Sequence, residues 1–92
     1  MRVFWTQRAT RELRAHRHAL ARKQTTAGAR HAELVVAAAE RLTTYPRYGG
    51  KTGDQGVGAR ELPVARTPFT ILYAIDDVSN LVVVLRVVSG AK

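Results

Sequence analysis

The chain opens on a short β-type run, MRVFW, which is followed by Thr6. A Thr hydroxyl accepts a hydrogen bond from an unpaired first-turn N–H, so Thr6 is expected to cap a helix that starts at residue 7. Ala9, Leu13, His16 and Leu20 then recur at helical spacing and form one stripe, while Arg11, Arg14, His18 and Arg22 fall on the opposite, cationic side. The aperiodic KQTTAG suits a short turn. A second helix is predicted over 27–42, where Ala32, Val35, Val36, Ala39 and Leu42 make a broad apolar face. Thr44-Tyr45-Pro46 ends it, because Pro lacks the N–H and restricts the residue before it.

Residues 47–58, RYGGKTGDQGVG, hold five glycines and almost nothing apolar, which predicts a loop. The pattern then changes to period two. A strand is predicted over 57–65, with Arg60, Leu62 and Val64 on one face, and a second over 69–75. Asp76 to Asn80 has hairpin-turn chemistry. LVVVLRVVSGAK, apolar on both faces, is expected to be a central strand. The order β-α-α-β-β-β predicts an α+β fold in two layers: a helical hairpin packed on one face of a small, mainly antiparallel sheet. Phe4, Trp5 and Phe69 are expected in its core.

Composition limits what such a fold does. With 92 residues and 46% hydrophobic content, one domain spanning 1–92 is expected, with one core. Fifteen Lys and Arg, twelve of them arginine, stand against seven acids and leave a formal charge of +8. A guanidinium forks onto carboxylate or phosphate, so this bias points to an anionic partner: nucleic acid, an acidic protein segment or an acidic membrane surface. The absence of cysteine excludes disulfides and thiolate metal sites. The strand-like opening has no signal core, and LVVVL and LVVAAA fall well short of the ~20 residues that cross a bilayer. A cytoplasmic protein is expected.

Enzyme constellations are scarce. Gly50-Lys51-Thr52 lies between a helix and a strand, the reverse of the context in which a phosphate-binding loop opens a helix after a strand. His16, His18 and His31 form no HExxH pair, so neither a metal nor any other cofactor is expected, and His16 reads as a partly buried, hydrogen-bonded residue. Glu61 reads as a salt-bridge partner more readily than as a general base. Arg86 interrupts the last strand on the face of Val82, Val84 and Val88, where a cation requires an anion, a hydrogen-bond network or an open groove. Glu61 is its expected ion-pair partner. Arg60, Arg66 and Lys92 are expected to join Arg86 in a basic groove on the sheet side that the helices leave uncovered.

Read together, FWTQRATREL, LTTYPRYGG, GARELPVARTPFTILYAI and the terminal VVVLRVVSGAK resemble, in order and spacing, the RelE/ParE superfamily of type II toxins over almost the whole chain. The resemblance implies a small basic toxin neutralised by an antitoxin whose C-terminal segment wraps around it. RelE-like members cleave messenger RNA on the ribosome with clustered Arg and Lys and, commonly, a C-terminal Tyr or His; ParE-like members poison DNA gyrase. Arg60-Glu61-Leu62 and Arg66-Thr67-Pro68-Phe69 resemble the ParE pattern, and Arg86 matches the strand arginine of its Leu-Arg-Val-x-His-Gly ending. Ser89 stands where that ending has His, and neither Tyr nor His follows Leu81.

The resemblance therefore implies a gyrase-directed toxin first, since an always-protonated Arg is a poor general base, with a RelE-like ribosome-dependent endoribonuclease as the alternative. A nucleic-acid-binding module without a toxin role is the further alternative that the charge supports. In the toxin reading, Arg60, Arg66, Arg86 and Lys92 form the functional basic surface. Arg11, Arg14, Arg22 and Phe69 are the antitoxin-contact candidates, and an exposed edge strand offers a place for an antitoxin strand to add.

Overall fold

The computed structural model describes residues 1–22, 26–52 and 58–89. Lys92, Val57 and the first part of the interhelical turn, named above, lie outside the described residues. The elements run β1 (Arg2–Trp5), α1 (Gln7–Ala21), α2 (Ala27–Arg41), β2 (Gly50–Lys51), β3 (Ala59–Pro63), β4 (Phe69–Asp76) and β5 (Leu81–Ser89). They form two helices on a five-stranded mixed sheet of order β1-β5-β4-β3-β2. β1 runs parallel to β5, and the remaining pairs are antiparallel. The two-residue β2, inside the glycine-rich segment, is an addition to the expected order.

Thr6 caps α1 as its position predicts, its hydroxyl accepting from the Ala9 N–H at 3.1 Å. The same hydroxyl donates to the Leu85 carbonyl, also at 3.1 Å, and so ties the strand-to-helix corner to β5. α2 contributes Val35, Ala38, Ala39 and Leu42 to the core; α1 fully buries only Ala9. Small side chains let α2 approach closely, and they meet Leu62, Ile71, Tyr73, Val82, Val84 and Val87 from the sheet. Two expected core residues lie elsewhere. Phe4 is 54% exposed, because alternation along β1 sends Val3 and Trp5 toward the core and Phe4 away from it. Val36 sits on the flank of α2 and is also exposed.

Although the middle place belongs to β4, β5 lies inside the sheet between β1 and β4, as its apolar character on both faces implies. It does not keep one alternation throughout. Leu72 pairs with Arg86, whereas Tyr73 pairs with Val84, so Leu85 is an extra residue that forms a β-bulge. The bulge shifts the pattern by one position. Val82, Val84 and Val87 are the buried set, and Arg86 does not share their alternation as the uninterrupted strand predicted.

Candidate functional site at the β5 edge

β1 ends at Trp5, where the chain turns away into α1. β5 therefore loses its strand neighbour on that side just as it reaches the bulge. Backbone and side-chain groups of the corner and of α1 take over. The Thr6 N–H donates to the Val84 carbonyl at 3.1 Å. One turn into the helix, Glu12 Oε1 accepts the Val87 N–H at 2.9 Å. Its other oxygen, Oε2, accepts Arg86 Nε at 3.0 Å and Nη2 at 2.6 Å. Arg8 Nε approaches that oxygen at 3.7 Å. One carboxylate thus completes the hydrogen bonding of a strand edge and holds the strand's only cation.

The anion that Arg86 requires is therefore Glu12, not Glu61. Glu61 lies exposed on β3, opposite Gly50 and Leu72, and is two strands from Arg86. Reading β5 as a regular strand conceals this, because only the end of β1 gives a side chain of α1 access to the β5 edge. Glu12 has a sequence signature all the same: it is a lone acid among Arg8, Arg11 and Arg14, four residues before His16 on the helix.

Beside the ion pair opens a groove of about 470 Å³ walled by Glu12, His16, Phe69, Arg86, Val87 and Ser89. His16 is hydrogen-bonded, as expected, and the partner is His31 on α2: Nε2 and Nδ1 lie 3.1 Å apart with the rings stacked. Phe69 meets the His16 ring edge-on at a centroid distance of 4.3 Å. Burial, and secondarily charge on His31, holds the His16 pKa below its ordinary value. Phe69 itself is buried, so its contribution to any contact is as groove wall rather than as an exposed anchor.

Arg60 does not join Arg86. Its Nε donates to the Gly49 carbonyl at 2.8 Å and its Nη2 to the Arg47 carbonyl at 3.0 Å, so it clamps the segment that follows α2. Arg66 is exposed at the β3–β4 turn with φ 65°, a left-handed conformation that ordinarily suits Gly or Asn. Thr67 closes that turn, accepting the Phe69 N–H and donating to the Val64 carbonyl. The expected single basic groove on the open sheet face is thus replaced by two arginines with intramolecular partners and one at a hairpin tip.

Arg11, Arg14 and Arg22 are exposed along α1. Arg14 and Arg17 border a larger groove of about 600 Å³ between the helices, with Leu13, Ala32 and Val36 on its floor and Glu33 across from the arginines. Among the described residues no group of three His, Cys, Asp or Glu is arranged to hold a metal ion. No helix among the described residues is long and apolar enough to cross a membrane.

This architecture, a helical hairpin on a mixed five-stranded sheet with a basic surface, is that of the ParE and RelE toxins. A family described as "ParE toxin of type II toxin-antitoxin system, parDE" matches residues 3–92, and the chain belongs to that family. It is similar to a chain of the chromosomal ParDE toxin–antitoxin system of P. aeruginosa, with a TM-score of 0.81 and 20% identity, covering 99% of this chain and 97% of that one. It is also similar to a chain of the toxin–antitoxin complex RelBE2 from Mycobacterium tuberculosis, with a TM-score of 0.68 and 28% identity, covering 97% and 96%. A search of curated proteins gave no match.

Proposed function

We propose that this ParE-family toxin inhibits DNA gyrase in the cytoplasm and is held inactive by a cognate antitoxin. The family match over residues 3–92 carries the reading. The chemistry of Arg86 supports it. Cleavage of RNA by attack of a 2'-hydroxyl requires a proton acceptor and cations free to meet developing charge. Arg86 spends its guanidinium on Glu12, and neither Tyr nor His follows Leu81 in the sequence. A toxin that acts by binding needs neither.

The groove between α1 and α2 suits the antitoxin. Its floor of small and branched apolar residues accepts the apolar stripe of a helix, and Arg14 and Arg17 on the rim favour carboxylates on the flank that faces them. Arg11 and Arg22 extend the same cationic surface, which accelerates capture of an acidic segment.

Supercoiling by purified gyrase, measured with the toxin and with the toxin saturated by antitoxin, tests the proposal. The reading requires inhibition by the free toxin and its relief by the antitoxin. Undiminished supercoiling at toxin in large excess over gyrase contradicts it.

A further inference from the structure

Tyr45 and Tyr48 are 65% and 74% exposed, yet the segment that carries them is tied down by hydrogen bonds along its length. The buried Tyr73 hydroxyl donates to the Pro46 carbonyl at 2.7 Å and accepts the Gly49 N–H at 2.9 Å. Arg60 takes the Arg47 and Gly49 carbonyls. Gly49 is packed so closely that a Cβ there would lie 2.6 Å from the Glu61 carbonyl oxygen and 2.7 Å from the Tyr73 hydroxyl. Backbone bonds from the Tyr45 N–H to the Arg41 carbonyl and from the Tyr48 N–H to the Tyr45 carbonyl complete the corner. Two aromatic side chains are thus presented to solvent from a backbone with little freedom left to lose on binding, the condition under which an interface aromatic gives most affinity.

Between the tyrosines lies a cavity of about 190 Å³, floored by Ala38, Leu42 and Leu62 and bordered by Arg41. Its walls accept one apolar side chain. Among the described residues Arg41 is the one charged side chain that lines it, and Arg47 on the adjoining turn makes an exposed 3.5 Å contact to Asp77, so the rim favours a partner carboxylate. Ala38 and Arg41 of α2 and the capping Leu42, which line this cavity, point roughly half a turn away from Ala29, Ala32, Glu33 and Val36 of the hairpin groove, and only Ala37 of that groove adjoins them. A segment seated in the hairpin groove thus faces a different side of α2 from the one that meets the tyrosine corner.

We propose that the Tyr45–Tyr48 corner docks the toxin's protein target, taking an apolar side chain flanked by carboxylates, and is separate from the antitoxin groove. This rests on the gyrase reading for the identity of that target. Tyrosine and arginine around a single apolar socket supply the anchor and the charge complementarity of such a contact.

The test compares the wild-type toxin with Tyr45→Ala/Tyr48→Ala and with Arg41→Glu, each shown by thermal melting and circular dichroism to be folded. Affinity for immobilised gyrase and for the cognate antitoxin is measured for each. The inference requires gyrase affinity to fall by about tenfold or more in both variants while antitoxin affinity stays within about twofold. Retained gyrase affinity overturns it, and so does a loss confined to the antitoxin. If wild-type toxin does not bind gyrase, the gyrase reading fails by itself, and growth arrest on expression then decides the corner. Arrest lost in both variants with antitoxin affinity intact supports the corner; arrest retained overturns it. A wild-type chain that neither binds gyrase nor arrests growth overturns both.

Discussion

Glu12 and Arg86, 74 residues apart in sequence, share one carboxylate between a guanidinium and a strand edge. Both side chains are less than a third exposed, so the pair lies between a surface ion pair and a buried one. Removing the carboxylate leaves the Val87 N–H and a half-buried cation without partners. Glu12→Ala is expected to cost about 2 kcal/mol in denaturant unfolding, below the roughly 3–5 kcal/mol of a fully buried pair. Glu12→Gln, which keeps an acceptor for Val87, is expected to cost less than Glu12→Ala. Equal losses in the two variants would mean that the charge, not the strand-edge bond, carries the effect.

Tyr73→Phe tests the clamp on the 46–49 segment. The hydroxyl has two partners, Pro46 and Gly49, and its loss leaves a carbonyl and an N–H unpaired beside the core. A loss of about 2 kcal/mol is expected, together with faster amide exchange at Gly49. Unchanged exchange would show that Arg60 alone suffices to hold the segment.

How far the fold was legible depends on which interactions set each element. Thr6 and the stripe Ala9, Leu13, His16 and Leu20 announce α1 because capping and periodicity are local, and β5 announces its interior place because both its faces are apolar. The bulge at Leu85 is not local. It is defined only by the register against β4, and with it goes the direction of Arg86. The partner of Arg86 was only half legible for the same reason: Glu12 stands out as a lone acid among arginines, but it reaches β5 only where β1 stops. The exposure of Tyr45 and Tyr48 was hidden too, because Pro46 marks a helix end but says nothing of which way its neighbours face.

His16 gives the fold a pH dependence of definite sign. Its pKa is lowered in the folded protein, chiefly by burial and secondarily by charge on His31, so the unfolded chain binds the proton more readily. The stabilisation is complete above the ordinary histidine pKa of about 6.5 and is lost as pH falls from there through the folded value. Melting temperature should therefore drop between neutral and mildly acidic pH. In His16→Gln that part of the drop should disappear, and a slope identical to wild type would assign it to other groups.

Arg66 separates stability from activity. Its left-handed φ of 65° strains a residue with a Cβ by about 1–2 kcal/mol, which Gly relieves at a smaller cost in unfolded-chain entropy. Arg66→Gly is expected to match the stability of wild type or exceed it by up to roughly 1 kcal/mol. If the arginine at this tip contacts the target, the same variant loses toxicity. A variant as toxic as wild type would remove Arg66 from the functional surface.

Charge reversal on the hairpin tests the antitoxin groove. Arg14→Glu/Arg17→Glu places two acids on its rim, and antitoxin affinity should fall by about tenfold or more, chiefly through slower association at low salt. Gyrase inhibition by the free toxin should be unaffected.

The central claim is that this chain acts on gyrase rather than on translated message, and one paired assay addresses it most directly. Purified toxin is added to gyrase with relaxed plasmid and, in parallel, to ribosomes programmed with a defined message. Inhibited supercoiling with trapped, cleaved DNA and an intact message is the predicted result. Message cut within the ribosome, with supercoiling unimpaired, would contradict the account and turn attention to how Arg66 and Arg86 support cleavage without a terminal His or Tyr.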